Sequence, residues 1–451
     1  MIRFLNQNIL ALCVSALLFS TTGYGQTAQQ TVVLTLDRAQ KLALEQNPQI
    51  QSAEKDLRKA ETQRAQARGR MLPSLNAFAN YQHNFELPIF TIEFGGQTQN
   101  FRAGSPENVT SGFQLQQPLF LGGALWAGYG ISSAATEVSA NQAMLQKQNV
   151  VLQVRQAFYN TLFTRQLITV ATEALENAQR NLDMVQKQAD VGVASGFDLL
   201  RAKVAVANTR PQVIAAQHQH DQALTGLRTA IGLNSDTPIQ VEGQLTYQAT
   251  AWADTSVQRL QEIAFDRRLE VQNLEYQRSI QQRNLTIARA NILPSVTASS
   301  QLQYQLQSEE LVFGGDENFR SISGGLTLSI PLFSGGSNWA GIQEAKVALR
   351  QVDDTERQIQ HGIAAEVESS YYALIQAQEQ YTSQQQTVQQ AQESLRLAEL
   401  RYREGSSTQL DVLNAQLALQ QAQTNESQYL LQYNAARDQL LKAMNLLEIE
   451  S

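Results

Sequence analysis

Sixty consecutive residues, Ile131 to Asp190, include neither proline nor glycine. A second run, Ile342 to Glu404, has no proline and one glycine, Gly362. Nothing in either run stops a helix. At 1.5 Å per residue each predicts a rod about 90 Å long, against about three turns for an ordinary globular helix. Helices of that length need partners along their whole flank.

Within these runs Val154, Thr161, Ile168, Leu175, Leu182 and Ala189 stand seven apart, as do Val367, Leu374, Tyr381, Val388, Leu395 and Tyr402. A sustained seven-residue step makes neighbouring helices supercoil. The two series share one offset, since 367 − 154 and 402 − 189 both equal 213. A long coiled-coil unit is therefore duplicated.

The segments around the runs are duplicated too. Leu36 to Met71 reads as a helix closed by Pro73, with a short first turn and a kink expected at Asn47-Pro48. The period then becomes two: Leu75, Ala77, Ala79 and Tyr81 alternate with polar residues, predicting a strand over about 74–87. A loop rich in Gly, Asn and Gln separates it from a second strand over about 108–118. The long helix is expected over 123–190 and a further helix over 197–231, where Pro211 predicts a kink or break. The second repeat, 257–451, restates this with strands over about 295–307 and 320–330, a long helix over 336–404 and a helix over 408–446. Residues 234–256 read as a polar linker after the first repeat, 26–233. Pro294 answers Pro73 at an offset of 221, whereas Gly335-Gly336 answers Gly122-Gly123 at 213, so the second hairpin is about eight residues shorter. Four strands cannot enclose a channel, because the smallest membrane barrels have eight. The chain is expected to oligomerise.

Residues 1–25 have the form of a secretory signal: Arg3, an apolar core from Ile9 to Phe19, and Gly23-Tyr24-Gly25 before the cut. The apolar run is too short for a membrane-spanning anchor. The only cysteine, Cys13, lies inside it, so the mature chain is expected to hold no thiol, disulfide or lipid anchor. A formal net charge of −7 argues against nucleic acid as partner. A mean hydropathy of −0.30 excludes a bundle of transmembrane helices but not a β-barrel, whose strands are only half apolar. No catalytic, cofactor or metal constellation emerges. His218 and His220 are two apart on a helix and share no face. Gly95-Gly96, Gly122-Gly123 and Gly335-Gly336 are hairpin and junction glycines without the Gly-Lys-Ser/Thr of a phosphate loop.

The duplicated order, the Pro-Leu-Phe-x-Gly-Gly junctions (Pro118 to Gly123, Pro331 to Gly336), Arg155-Gln156-Ala157-Phe158-Tyr159, and the turns Val191-Gly192-Val193 and Arg403-Glu404-Gly405 together resemble the TolC-like outer-membrane factor family. The resemblance covers nearly the whole mature chain. It implies a mainly α protein with membrane β: a homotrimer whose twelve-stranded barrel sits in outer-membrane lipid and continues as a periplasmic α-helical barrel. It further implies a periplasmic adaptor, or membrane fusion protein, at the helix turns and an inner-membrane transporter beyond it. The function implied is passive efflux of small molecules, or type I protein secretion. A periplasmic coiled-coil adaptor is the reading from another class, and the two-faced strands disfavour it.

Ser195-x-x-Asp198 and Thr408-x-x-Asp411 each follow a turn glycine and have the spacing of capping boxes. On the resemblance, Gly192, Val193, Ser195, Gly405, Ser406 and Thr408 belong to the adaptor-contact turns. Asp411, Asn414 and Tyr402 match the family's channel constriction. Asn414 stands where the family carries a second aspartate, and Ser407 where some members carry an arginine. Asp411 is open to either reading, a helix cap or a member of a carboxylate ring whose mutual repulsion would raise its pKa. Tyr402 is open to core packing or to a hydrogen-bonded latch. Tyr81, Phe85 and Tyr304 are candidates for an aromatic girdle.

Overall fold

The computed structural model describes residues 31–309 and 318–448; the expected signal peptide lies outside them. The chain opens with β1 (Val32–Leu34), α1 (Leu36–Gln46) and α2 (Pro48–Gly69). The expected single kinked helix is thus two helices. Asn47 takes an extended ψ of 124°, as a residue before proline prefers, and Pro48 starts α2 at the position where a missing N–H costs nothing. Asn47 holds the junction with both ends of its amide. Its Oδ1 accepts from the Gln49 N–H at 2.8 Å, and its Nδ2 donates to the Ala230 carbonyl at 2.8 Å.

The long elements are α3 (Ala124–Asp190), α4 (Gly196–Ile231), α7 (Ser337–Arg403) and α8 (Gln409–Ala443). α3 and α7 each have 67 residues, about 100 Å of rod. Both start after a glycine in the left-handed region, Gly123 at φ 87° and Gly336 at φ 82°, where a side chain would be strained. Of the kink or break expected at Pro211, the break does not occur: α4 is one helix through it.

The seven-residue seam is buried in α7 at Val367, Leu374, Tyr381, Val388 and Leu395. In α3 it moves. Val154 and Thr161 are buried, but beyond them the buried seven-residue series is Thr164, Ala171, Ala178 and Val185, flanked by buried Leu162, Val170 and Asn181, while Ile168, Leu175 and Leu182 are half-covered. The step is still seven, displaced by three residues. α3 is packed against both α4 and α8, so its buried face turns toward the gap between them.

Short helices α5 (Val257–Arg267) and α6 (Leu269–Ala290) repeat α1 and α2. Arg268 stands where the first repeat has Asn47, and its guanidinium donates to the Ala443 carbonyl at 3.2 Å, the counterpart of Ala230. The expected linker is more than a tether. It forms β6 (Ile239–Val241), parallel to β1, and a 3-10 turn at Ala251–Asp254. Its Tyr247 lies over Tyr433 and Tyr381, at ring distances of 4.6 and 5.1 Å. A three-residue strand is too short to print a period on the sequence.

At the other end of α3 and α7 stand β2 (Ser74–His83), β5 (Glu107–Leu121), β7 (Ser295–Ser308) and β8 (Asn318–Ser329). They form one antiparallel sheet in the order β2-β5-β7-β8, so β2 and β8 are its edges. β2 is shorter than expected. Asn84 turns the chain by bonding Pro106 and Ser105 carbonyls, leaving Phe85 beyond the strand, its ring edge-on to His83. The expected loop contains a hairpin, β3 (Ile89–Phe94) and β4 (Gln97–Arg102), turned by Gly95-Gly96 at φ 63° and 83°, the two positive values a tight hairpin requires. No helix among the described residues is long and apolar enough to cross a membrane. The exposed apolar face is on the sheet, at Leu75, Phe113, Leu115, Ile322, Leu326 and Leu328.

Candidate functional site

Two regions combine unusual chemistry with a clear position in the fold: the helix turns far from the sheet, and a belt of buried charge midway along the helices. The turns are built alike. After α3 the Val193 N–H reaches back to the Gln188 carbonyl at 2.8 Å, and after α7 the Ser406 N–H reaches the Arg401 carbonyl at 2.9 Å. Gly192 at φ 77° and Gly405 at φ 74° make the reversal, as in a glycine-closed helix end.

Each turn runs directly into a cap. Ser195 Oγ accepts from the Asp198 N–H at 3.1 Å and donates to the Asp198 carboxylate at 2.6 Å. Thr408 and Asp411 bond reciprocally: Asp411 Oδ2 accepts the Thr408 N–H at 2.9 Å, and Thr408 Oγ1 accepts the Asp411 N–H at 3.4 Å. Thr408 Oγ1 and Ser407 Oγ also donate to Asp411 Oδ2, at 2.7 and 2.9 Å. These bonds, the Thr408 side chain first, hold the Asp411 carboxyl below the ordinary aspartate range. Replacing Ser195 by alanine is expected to loosen the start of α4 by about 1 kcal/mol, seen as faster amide exchange over Phe197–Leu200 with the far end of α4 unchanged.

Asn414 is exposed one turn beyond Asp411, and the two share a concavity with Ser394, Leu397, Arg401 and Ser407. Tyr402 is half-buried against Leu395, Val412 and Ala415. Burial, then the nearby Asp198, pushes its hydroxyl pKa upward. Gly192, Val193, Ser195, Gly405, Ser406 and Thr408 are all exposed. Beside them lies a feature that the seven-residue pattern hides: Phe197, Leu200 and Val204 form an exposed apolar stripe down the first turns of α4, and Val193, 74% exposed, stands in the turn just before it. Spacings of three and four put the three helical residues on one face. Arg201 lies 4.6 Å over the Phe197 ring.

The belt gathers residues that lie far apart in the sequence. Asp438 on α8 is fully buried. Its Oδ2 accepts from the Tyr159 hydroxyl at 3.0 Å and from Arg155 at 3.5 Å, and Arg437 lies 3.2 Å from Oδ1. Arg155 Nε also donates to Gln40 Oε1 on α1 at 3.3 Å. Sequence reading found Arg155 and Tyr159 through their motif but missed Asp438. The available signal was a carboxylate two residues before Leu440 and five after Tyr433, both of which belong to the core. His220, already set aside as a metal ligand, meets the Thr164 hydroxyl at 3.1 Å.

Known proteins share this architecture. The pyoverdine export outer membrane protein OpmQ of Pseudomonas aeruginosa is 24% identical over 413 residues, covering 91% of this chain and 84% of that protein. The alkaline protease secretion protein AprF of the same organism is 23% identical over 399 residues, covering 88% and 81%. Among solved structures, the open state of the Neisseria gonorrhoeae MtrE outer membrane channel superposes with a TM-score of 0.73 at 20% identity, covering 92% of this chain and 90% of that one. The outer membrane efflux protein family matches residues 39–233 and 260–446. The match takes in both repeats of helices and strands, and the chain belongs to the outer membrane efflux protein family.

Proposed function

We infer that the protein is the outer-membrane exit duct of an efflux system. Three copies close a barrel of four strands each, and their long helices continue it as a tube. The observation that carries this is the sheet itself. It has an apolar outer face, two edges without a partner strand among the described residues, and a glycine-hinged connection to rods about 100 Å long. An open edge is a template for another strand, and in a membrane every backbone group must be paired. Transport needs no catalytic group in such a duct, and the energy comes from an inner-membrane transporter. The turns at Gly192, Val193, Gly405 and Ser406, with the apolar stripe from Phe197 to Val204, suit a periplasmic adaptor that covers apolar surface.

Asp411, Asn414 and Tyr402 are proposed to narrow the duct at this end. Capping bonds keep Asp411 ionised, so three copies would bring three charges together and attract cations. Planar-bilayer recordings test both ideas. The wild type is expected to give channels that divalent cations reduce. Asp411→Ala is expected to conduct more and to lose most of that block. Absence of any pore would reject the duct, whereas identical records from the two proteins would reject the ring alone. Similarity to a protease-secretion protein supports a second reading, export of polypeptides. Export assays with a small dye and with a secreted protein, in cells lacking this chain, separate the two.

A further inference from the structure

Between α3, α4 and α8 lies a cavity of about 280 Å³. Its apolar walls are Ala174 and Ala178 from α3, Val204 and Ala205 from α4, and Leu413 and Leu417 from α8. Three of these six are alanines, too short to fill the space between the helices. Side-chain amides bridge the gap instead. Gln420 Nε2 donates to Gln212 Oε1 at 2.8 Å, and Gln416 Nε2 to the Asn177 carbonyl at 3.2 Å.

The two ends of the cavity differ in charge. They lie about 16 Å apart, eleven residues along α4 from Arg201 to Gln212. At the Gln212 end Gln423 Nε2 donates to the Glu173 carboxylate at 3.2 Å. At the other end stands Arg201, with its guanidinium over the Phe197 ring and no ion pair among the described residues. The carboxylate nearest to it in sequence, Asp198, is bonded to Ser195. Stacking occupies the flat face of a guanidinium and leaves its N–H edge free, the edge that takes a carboxylate in two parallel bonds. The counterpart of Arg201 in the second repeat, 213 residues on, is Asn414, so the cation belongs to the first repeat alone. Asn181 is a second, independent sign. It follows Ala178 by three residues on the same face of α3, on the side of the helix turn, as Arg201 is. It is buried, and neither polar atom of its amide has a hydrogen-bond partner. Buried amides are nearly always paired, so this end of the cavity suits a polar group.

We propose that the cavity binds a small amphipathic carboxylate. Its acid group lies on the N–H edge of Arg201, and its apolar body lies among Ala178, Ala205 and Leu417. Glu173 repels a second negative charge at the far end and so fixes the orientation. The volume falls just under the range of about 300–1,000 Å³ usual for small-molecule sites, which suits a body of one or two rings. The walls come from both repeats, α3 and α4 from the first and α8 from the second, so a bound ligand ties the repeats together near their turns. The site lies within one chain and goes beyond the duct reading.

The probe is 2-naphthoate, titrated calorimetrically into the full chain in detergent. Its neutral isostere 2-naphthamide controls for partition into micelles. Naphthoate is expected to bind saturably, and naphthamide about tenfold more weakly, the share of one hydrogen bond between charged groups. Arg201→Gln is expected to bring naphthoate down to the level of the amide. Cysteine labelling gives the location, since Cys13 is the only native cysteine. Saturating naphthoate is expected to slow the reaction of Leu417→Cys with a soluble maleimide severalfold. It should leave Ile214→Cys, exposed on α4 outside the cavity, unchanged. The proposal is overturned if wild type binds acid and amide equally or shows no saturable binding. It is also overturned if Arg201→Gln binds naphthoate as wild type does, or if Leu417→Cys is left unprotected.

Discussion

Replacing Asp438 by alanine is expected to lower stability by about 3–5 kcal/mol, the usual cost of removing one partner from a buried ion pair. The carboxylate is fully buried and faces two guanidinium groups and a phenol. Its loss would leave Arg155 and Arg437 facing each other with little water to compensate. Tyr159→Phe removes the bond its hydroxyl donates to Asp438 at 3.0 Å and the longer one it accepts from Arg437 at 3.3 Å, and is expected to cost about 1.5–3 kcal/mol. Burial and then Asp438 push the Tyr159 hydroxyl up to about 12, so it remains a donor across the working pH range. In the Asp438→Ala background Tyr159→Phe should add little, because the two share one bond. Denaturant unfolding followed by circular dichroism measures all three proteins. A loss below about 1 kcal/mol for Asp438→Ala would mean that the network adds no more than an exposed pair. The stakes are mechanical as well. Arg155 and Tyr159 lie on α3, Gln40 on α1 and Asp438 on α8, so this belt ties the two repeats together where the helices would flex.

Arg268→Met is the second large effect, expected at about 3 kcal/mol. The guanidinium bonds Glu270 at 3.0 and 2.5 Å, Glu366 at 2.6 Å and the Ala443 carbonyl at 3.2 Å. Methionine keeps the packing and leaves two carboxylates and a helix-end carbonyl without their donor. The loss should depend on pH. Burial alone would raise the Glu270 carboxyl, but the bonds from Arg268 outweigh it and hold the pKa below the ordinary value. A depressed carboxyl adds stability above its unfolded pKa, near 4.3, and that stability fades as pH falls through the folded value. The gap between wild type and Arg268→Met should therefore be full at pH 7 and shrink toward pH 3. A gap that is constant with pH would assign the loss to packing rather than charge.

What could be read from the chain alone was what repeats along it. Uninterrupted helical runs, a period that switches to two between Pro73 and Pro118, and a constant offset of 213 are local signals, each carried by residues within a few turns of one another. They were enough for long paired rods, two-faced strands and a duplicated plan. The tip turns are similarly local, since a hydroxyl, a carboxylate and a glycine lie within seven residues from Gly405 to Asp411. The details that escaped depend on what a residue meets. Only packing against α4 and α8 together moves the buried seam of α3 from Ile168 to Ala171.

Likewise β6 is a strand because β1 lies beside it, and the linker holds its place because Tyr247 finds Tyr433 and Tyr381. Asp438 becomes a keystone because α3 brings two of its partners from 279 and 283 residues away. Sequence by itself determined the rods, the strands and their duplication, because hydrophobic period and turn residues act over neighbouring positions. Tertiary structure decided which face each rod buries and where its charge is hidden, because burial and pairing are properties of contacts between distant segments.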